Sequence, residues 1–176
     1  MKSVSCGVLV FDPAGNLLLG HANESRFWDI PKGEGTAQEQ GAQTAVREAF
    51  EECGLQLLPG QLRDIGLFGY RRDKALRLFA VLVAHFEAKS CVCSSFYTDR
   101  HGRLRPEMNG FRWAAPEELP LLCAPSLVAV LTQALSLAAI HGQLLYEAAP
   151  VQAAPVRRDL TRMGPARGGA PPPVQE

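Results

Sequence analysis

The chain has 176 residues, 47% of them hydrophobic, which is enough for one globular domain with a full core. Its formal net charge is zero, so no overall charge attracts nucleic acid or an anionic membrane. The five cysteines form an odd, unpatterned set, which favours free thiols in a reducing compartment and predicts a cytoplasmic protein.

Two apolar stretches are too short for membrane or export signals. The N-terminal run reaches Asp12 too early for a signal peptide. The run over 127–140 falls short of the ~20 apolar residues that span a bilayer. We therefore expect no membrane association.

The strands are predicted from short apolar runs bounded by turn residues. Residues 3–11 and 16–21 flank the turn sequence Asp-Pro-Ala-Gly-Asn and predict a β-hairpin. A short strand over 26–30 then leads to a glycine-rich loop and a helix. The elements expected after that helix are strands near 62–72, 75–88 and 110–114 and a long helix over 125–148.

The helix after the glycine-rich loop, predicted over about 37–53, has two distinct faces. At 100° per residue, Glu48, Glu51 and Glu52 share one side. The core-facing stripe consists of Ala42, Ala45, Val46, Ala49, Phe50 and Cys53. Carboxylates at this spacing repel one another, so either water solvates them or a cation lies between them. Carboxylate oxygens are the ligands that Mg²⁺ prefers.

Several residues around this helix also have purely structural interpretations. Thr36 and Glu39 have the spacing of a capping box, and Gly54 provides a C-terminal stop. Arg47 is placed to pair with Glu51 four residues later, as in an ordinary surface ion pair. The residues alone leave both a solvated acidic face and a metal site open.

The composition changes at residue 149. From there to the end the chain is rich in Pro, Ala, Gly and Arg, with few side chains to bury. We therefore predict one domain over 1–148 and a disordered tail over 149–176.

The spacing of the helix residues resembles the signature of the Nudix hydrolases. Gly33 is followed after five residues by Glu39, and after seven more by Arg-Glu-Ala-Phe-Glu-Glu-Cys-Gly-Leu at 47–55. The family pattern is Gly-x5-Glu-x7-Arg-Glu-U-x-Glu-Glu-x-Gly-U, with U aliphatic, and each fixed position is matched. Ala49 is small where the family usually has a larger aliphatic residue. The resemblance extends more loosely over about 3–140.

The resemblance implies a fold and a reaction. The fold is an α/β/α sandwich with a mixed sheet between helices. The reaction is Mg²⁺-dependent hydrolysis of a pyrophosphate bond in a nucleoside diphosphate linked to a group X, with Mn²⁺ as the alternative metal. The resemblance assigns Glu48, Glu51 and Glu52 to the metal and Arg47 to fixing one of these carboxylates. Gly33, Glu39 and Gly54 hold the motif in shape.

Three further segments resemble the diadenosine tetraphosphate hydrolases. The first, Trp-Asp-Ile-Pro-Lys-Gly at 28–33, also resembles diphosphoinositol polyphosphate phosphohydrolases and makes Lys32 a candidate substrate-binding residue. The strand after Asp73 places Lys74 near the polyphosphate. The segment over 106–113 implies that Glu107 is a fourth metal ligand or the general base, although Met108 replaces the family histidine and Phe111 the tyrosine. An exposed loop glutamate is the alternative.

The substrate-binding candidates have two interpretations each. Tyr70 and Arg72 contact base or phosphate, or they form a strand edge that faces water. Trp28 stacks on a base or belongs to the core. The connection over 87–105 is longer and more polar than needed, and a long loop beside a site can determine substrate choice.

Two functions from different classes follow. The first is a pyrophosphohydrolase, with a dinucleoside polyphosphate as one candidate substrate. The second is a nucleotide-binding Nudix sensor or regulatory module without turnover; because all the signature glutamates are present, catalysis is favoured. We expect a small nucleotide as the substrate and no specific nucleic-acid partner, and the oligomeric state stays open.

Overall fold

The computed structural model describes residues 3–156. Within that range the strands are β1 Ser3–Phe11, β2 Leu17–Ala22, β3 Trp28–Asp29, β4 Lys32–Glu34, β5 Arg63–Arg71, β6 Lys74–Leu82, β7 Phe96–Thr98, β8 Leu104–Pro106 and β9 Met108–Ala114. The α-helices are α1 Gly41–Cys53, α2 Leu119–Leu122, α3 Pro125–Ala129 and α4 Leu137–Glu147.

The main sheet is mixed. Its strands follow the order β3-β2-β1-β6-β5, while β4 also pairs with β1 and β9 with β2. β1 and β6 run parallel, and the other pairs of this sheet are antiparallel. β7 and β8 form a separate antiparallel hairpin. The short strands β4, β7 and β8 were not predicted.

Helices cover both faces of this sheet. The alternation of β1 explains why: Val8 and Val10 pack with α1, whereas Leu9 and Phe11 point to the opposite core. The opposite core also contains the buried residues of α3, the following turn and α4: Leu127, Val130, Leu131, Leu137, Ile140 and Leu144. The predicted α/β/α sandwich with a mixed sheet is therefore confirmed.

Helix α1 begins later than predicted. Its N-cap is Gln40, whose backbone N–H donates to Oε1 of Gln43 at 2.8 Å. Thr36 does donate its N–H to Oε2 of Glu39 at 3.0 Å, but this contact closes a turn before the helix. The capping box predicted at these two residues is therefore wrong. The predicted stop is correct, because Gly54 has φ of 76° and caps the C-terminus.

The predicted long helix over 125–148 is also wrong. After α3 the chain makes a π-helical turn over Val130–Ala134, and α4 begins after Ser136, whose Oγ accepts the N–H of Ala139 at 3.3 Å. Among the described residues no single helix is long and apolar enough to cross a membrane. Within residues 3–156, one bent pair, Pro125–Ala134 and Leu137–Glu147, reaches that length and composition, with an angle of 64° between its helices.

The first residues of the predicted tail pair with the domain. The N–H of Val151 donates to the carbonyl of Leu82 at 2.8 Å, and the N–H of Val156 donates to that of Gly54 at 3.0 Å. Ala153 is buried in the core beneath α1. The ordered domain therefore extends past the predicted boundary at residue 148. The rest of the predicted tail, 157–176, lies outside the described residues.

Candidate active site

Arg47 joins the carboxylates of the signature. Its Nε lies 2.8 Å from Oε1 of Glu39, and its Nη1 lies 2.8 Å from both Oε1 of Glu48 and Oε2 of Glu51. Its Nη2 also donates to the carbonyl of Glu34, the last residue of β4, at 3.0 Å. The guanidinium therefore fixes three carboxylates, where the sequence predicted one. The Arg47 hydrogen bond, helped by the Thr36 N–H, lowers the pKa of Glu39 to about 2.

Gly33 lies directly against Glu48. A Cβ at position 33 would lie 2.1 Å from Oε1 and 2.2 Å from Cδ of Glu48, far inside van der Waals contact. With Glu48 in this position, a residue larger than glycine at position 33 would displace the Glu48 carboxylate. This agrees with the role expected for Gly33.

Two carboxylates of α1 are buried. Glu52 is 4% exposed, and its Oε2 accepts the N–H of Lys32 at 3.0 Å. Burial raises the pKa of Glu52 well above its usual range. Burial also raises the pKa of Glu48, and the neighbouring charges of Glu51 and Glu107 act in the same direction. Negative charge at these positions is poorly solvated and would be stabilised by a cation.

The structure brings Glu107 to the same site. Its backbone is fixed at both sides: the N–H donates to the carbonyl of Ser95 at 2.9 Å, and its carbonyl accepts the N–H of Asn23 at 2.8 Å. Its charge lies close enough to raise the pKa of Glu48. Although Glu107 is distant from α1 in sequence, its carboxylate belongs to the same electrostatic group.

The donor set fits a hard divalent cation. It consists of carboxylates, of which those of Glu48 and Glu52 are buried. They lie beside strand β4, which has no side chain at Gly33. Within residues 3–156, no three Asp, Glu, His or Cys side chains already form a coordination cage. The Arg47 guanidinium contacts one carboxylate oxygen of Glu48 and one of Glu51.

The two predicted lysines are held by carboxylates. Nζ of Lys32 lies 2.6 Å from Oδ2 of Asp29, and Nζ of Lys74 lies 2.8 Å from Oε1 of Glu34. Burial opposes the charge on Lys32, but Asp29, Tyr70 and Glu52 more than offset it, so the pKa of Lys32 is raised. Lys32 therefore stays cationic beside Asp29.

The other substrate-binding candidates differ in exposure. Tyr70 is 7% exposed, and its buried hydroxyl has no hydrogen-bond partner among the described residues. This burial favours a core role for Tyr70. Trp28 is half-buried, its ring 5.0 Å from that of His21 and 5.7 Å from the guanidinium of Arg112. Arg72 is exposed in the turn between β5 and β6.

Sequence reasoning missed the residues that connect the site to its surroundings. Glu34 holds Lys74 by its side chain and Arg47 by its carbonyl. The N–H of Ser94 donates to the carbonyl of Glu51 at 2.7 Å. These contacts join segments far apart in the chain, so no local pattern reveals them. The ion pair of Asp29 with Lys32 could have been predicted, because the two residues lie three apart in the sequence.

Comparison with known proteins gives a family match and a close phage relative. The family model for the NUDIX domain matches residues 1–133. The chain is 31% identical over 142 residues to an uncharacterized 17.7 kDa protein from the e-segB intergenic region of Enterobacteria phage T4. The match covers 74% of this chain and 94% of the relative.

Solved structures with the same fold come from several organisms. An Ap4A hydrolase of C. elegans, in a binary complex, is 16% identical with a TM-score of 0.56, and the match covers 79% of this chain and 98% of that chain. The NUDIX domain of Shewanella oneidensis NrtR, complexed with ADP ribose, is 13% identical with a TM-score of 0.55, and the match covers 76% and 86%. At these identities the likeness shows the fold alone.

Proposed function

The chain belongs to the Nudix family, and on that premise we propose that it cleaves a pyrophosphate bond in a nucleoside diphosphate linked to a group X, with Mg²⁺ as cofactor. The membership confirms the predicted family and enzyme class, a Nudix pyrophosphohydrolase. The observation that carries the proposal is the contact of Arg47 with Glu39, Glu48 and Glu51. A solvated acidic face without function would not require three carboxylates to contact one arginine.

The metal would be held by Glu48, Glu51 and Glu52, with Glu107 as a fourth ligand or as the general base. When bound, Mg²⁺ neutralises charge on the pyrophosphate and lowers the pKa of an attacking water. Mn²⁺ has the same ligand preference and is the alternative. The raised pKa values of Glu48 and Glu52 support this assignment, because burial of these carboxylates without a cation is costly.

The protein residues position the reactants. Arg47 fixes the orientation of Glu48 and Glu51, so the ligand oxygens need no reorganisation during the reaction. Glu51 and Glu107 are the candidates to accept the proton of the attacking water. Lys32 and Lys74 would contact substrate phosphates, for which the Lys74 ammonium must exchange Glu34 for a phosphate oxygen.

A dinucleoside polyphosphate is the candidate substrate. The support is the resemblance of the segments around Lys32, Lys74 and Glu107 to the diadenosine tetraphosphate hydrolases, together with the shared fold of the C. elegans Ap4A hydrolase. The five cysteines are all free, which suits the predicted cytoplasmic location.

A substrate panel tests the proposal. The purified protein is incubated with dinucleoside polyphosphates, sugar nucleotides, nucleoside triphosphates and capped RNA, in Mg²⁺ or in EDTA, and the products are resolved by chromatography. We expect cleavage in Mg²⁺ only. Binding without cleavage of any compound would overturn the proposal and support the sensor alternative.

A further inference from the structure

The hairpin formed by β7 and β8, residues 96–106, stands apart from the main sheet. Phe96 pairs with Pro106 and Thr98 with Leu104, and neither strand pairs with the main sheet. We call these residues the basic hairpin, because they contain Arg100, His101, Arg103 and Arg105 against Asp99. The signature does not include this segment, and the mechanism above does not use it.

Both ends of the basic hairpin are attached to the candidate active site. At the start, the N–H groups of Ser94 and Ser95 donate to the carbonyl of Glu51 at 2.7 and 3.2 Å. At the end, the N–H of Glu107 donates to the carbonyl of Ser95 at 2.9 Å. The base of the hairpin is therefore fixed to the backbones of Glu51 and Glu107, two residues of the candidate site.

The tip of the basic hairpin is a tight, ordered turn. Asp99 is 6% exposed, and its Oδ1 accepts the N–H groups of His101 and Arg103 at 2.8 and 2.9 Å. Gly102 takes the positive φ, 75°, that the turn requires. The hydroxyl of Tyr97, on β7, is buried. The turn thus holds its exposed side chains on a fixed backbone.

Two arginines of this tip carry uncompensated positive charge. Arg105 pairs with Asp99 at 3.2 Å, which leaves that carboxylate neutralised. Arg100 and Arg103 are exposed and form no ion pair with any of residues 3–156. Within the part of the chain that the structure describes, the Arg100 side chain donates only to the ring of His101, at 3.2 Å. Both guanidinium groups are available to an anion.

We propose that the basic hairpin binds the distal part of the substrate, and that Arg100 and Arg103 select an X group carrying further phosphates, as in a dinucleoside polyphosphate. The proposal rests on the proposed function. It assigns to this site a substrate class in which the scissile pyrophosphate continues, on its X side, into further anionic groups. Guanidinium groups suit this task because they bind phosphate oxygens through two parallel hydrogen bonds.

Distance and charge support a distal role. Arg100 and Arg103, at the tip, lie four and three residues from Phe96 and Pro106, respectively, at the base of the hairpin. At about 3.3 Å per residue, their backbones are roughly 10–13 Å from that base. That is too far for contact with the phosphates being cleaved. An anionic X group is repelled by the carboxylates that surround the site. The same X group is attracted to the unpaired Arg100 and Arg103, because their distance from the site is about one to two Debye lengths.

The test compares two substrates that differ in the charge of X. In diadenosine tetraphosphate X is strongly anionic, whereas in ADP-glucose X is a neutral sugar. The variant is Arg100→Gln/Arg103→Gln. The control is Arg26→Gln/Lys89→Gln, which removes the same charge from exposed positions outside the hairpin. Steady-state kinetics with Mg²⁺ give kcat and KM, and calorimetry gives the Kd for diadenosine tetraphosphate.

We expect the hairpin variant to raise KM and Kd for diadenosine tetraphosphate by roughly three- to ten-fold, the scale of exposed charge contacts, with kcat unchanged. Its kinetics with ADP-glucose should match wild type. Arg100→Lys/Arg103→Lys should lose less affinity than the glutamine variant, because it keeps the charge but not the paired hydrogen bonds. Equal effects on both substrates, or effects no larger than those of the control, would overturn the proposal.

The two failures can be told apart. If wild type hydrolyses ADP-glucose but discriminates against diadenosine tetraphosphate, the proposed function stands and the hairpin inference fails. If wild type hydrolyses neither these compounds nor any other member of the panel, the proposed function fails. Calorimetry then decides whether the arginines bind the distal phosphates: weaker binding by the hairpin variant supports that contact, and equal binding overturns it.

Discussion

Gly33 and Glu48 pack so closely that no side chain fits between them, since a Cβ on Gly33 would lie 2.1 Å from the nearest carboxylate oxygen of Glu48. This contact joins the strand before the helix to the helix itself. It also explains how one residue without chemistry of its own controls the position of a candidate metal ligand. Backbone freedom is not the reason for this glycine; close approach is.

Replacement of Gly33 by alanine should therefore damage activity more than stability. The added methyl group must push the Glu48 carboxylate out of place, and small displacements of catalytic groups cost about 10²-fold or more in rate. We expect kcat/KM of Gly33→Ala to fall by at least that factor. Gly142→Ala is the matched control: a Cβ there meets nothing within 4 Å, and alanine favours the helix α4. Equal activity of both variants would contradict the importance of the contact.

Glu52→Gln should separate activity from stability. Glu52 is almost fully buried, and burial disfavours its charge, so a neutral side chain of the same shape should leave Tm in EDTA unchanged or higher. Activity should fall by two orders of magnitude or more, because a lost ligand removes stabilisation of transition-state charge. Glu51→Gln, at a more exposed position, should show the same loss. Near-normal turnover of either variant in Mg²⁺ would refute the metal assignment.

Glu107→Gln is expected to lower kcat by roughly 10²–10⁴-fold, the usual range for general acid–base help. The backbone contacts of Glu107 with Ser95 and Asn23 are unaffected by this change, so the fold should persist. If the residue is the base, the pH–rate profile should lose its acidic limb; if it is a ligand, the Mg²⁺ concentration for half-maximal rate should rise. Glu117→Gln, an exposed glutamate of the next turn, is the control. Wild-type rates for both variants would remove Glu107 from the mechanism.

The local parts of this molecule could be predicted from sequence, and the long-range parts could not. The β1–β2 hairpin and the two faces of α1 depend on periodicity and turn residues, and both are present. The break before the last helix, at Ser136, contains no proline or glycine from which it could have been predicted. Likewise, the ion pair of Lys74 with Glu34 and the anchoring of Ser94 on Glu51 depend on the packing of distant segments. Prediction therefore found the candidate ligands and Arg47, but it missed the contacts of Glu34 and Ser94 that attach them to distant segments.

Asp12 should be a strong determinant of stability. Its buried carboxylate accepts the N–H groups of Ala14 and Asn16 at 3.0 and 2.9 Å and contacts Nδ1 of His85 at 3.1 Å. Asp12→Ala leaves these groups without their acceptor and should lower the free energy of unfolding by roughly 2–4 kcal/mol. Asp73→Ala, in an exposed turn, should change it by less than about 0.5 kcal/mol. Denaturant unfolding measures both, and similar values would contradict the role of Asp12.

The same carboxylate predicts a pH dependence. Burial by itself would raise the pKa of Asp12, but the hydrogen bonds from Asn16, His85 and Ala14 outweigh it, and the pKa is lowered. Ionised Asp12 therefore contributes its full stabilisation at pH values above its unfolded-state pKa of about 3.9. This stabilisation is lost as the pH falls through the folded-state pKa. The stability difference between wild type and Asp12→Asn should shrink over that acidic window. A difference that stays constant down to about pH 2 would contradict this linkage.

Two truncations should separate the ordered end of the domain from the residues beyond it. Removal of 149–176 deletes the pairing of Val151 with the end of β6 and of Val156 with Gly54, and it exposes the core around Ala153. With backbone bonds worth about 1 kcal/mol each, Tm should fall by roughly 5–10 °C in a domain of this size. Removal of 157–176 takes away few apolar side chains and should shift Tm by less than about 2 °C. Calorimetry of both truncations beside the full chain provides the comparison. If the shorter truncation lowered Tm as much as the longer one, residues beyond 156 would have to pack on the domain, and the predicted tail would be structured.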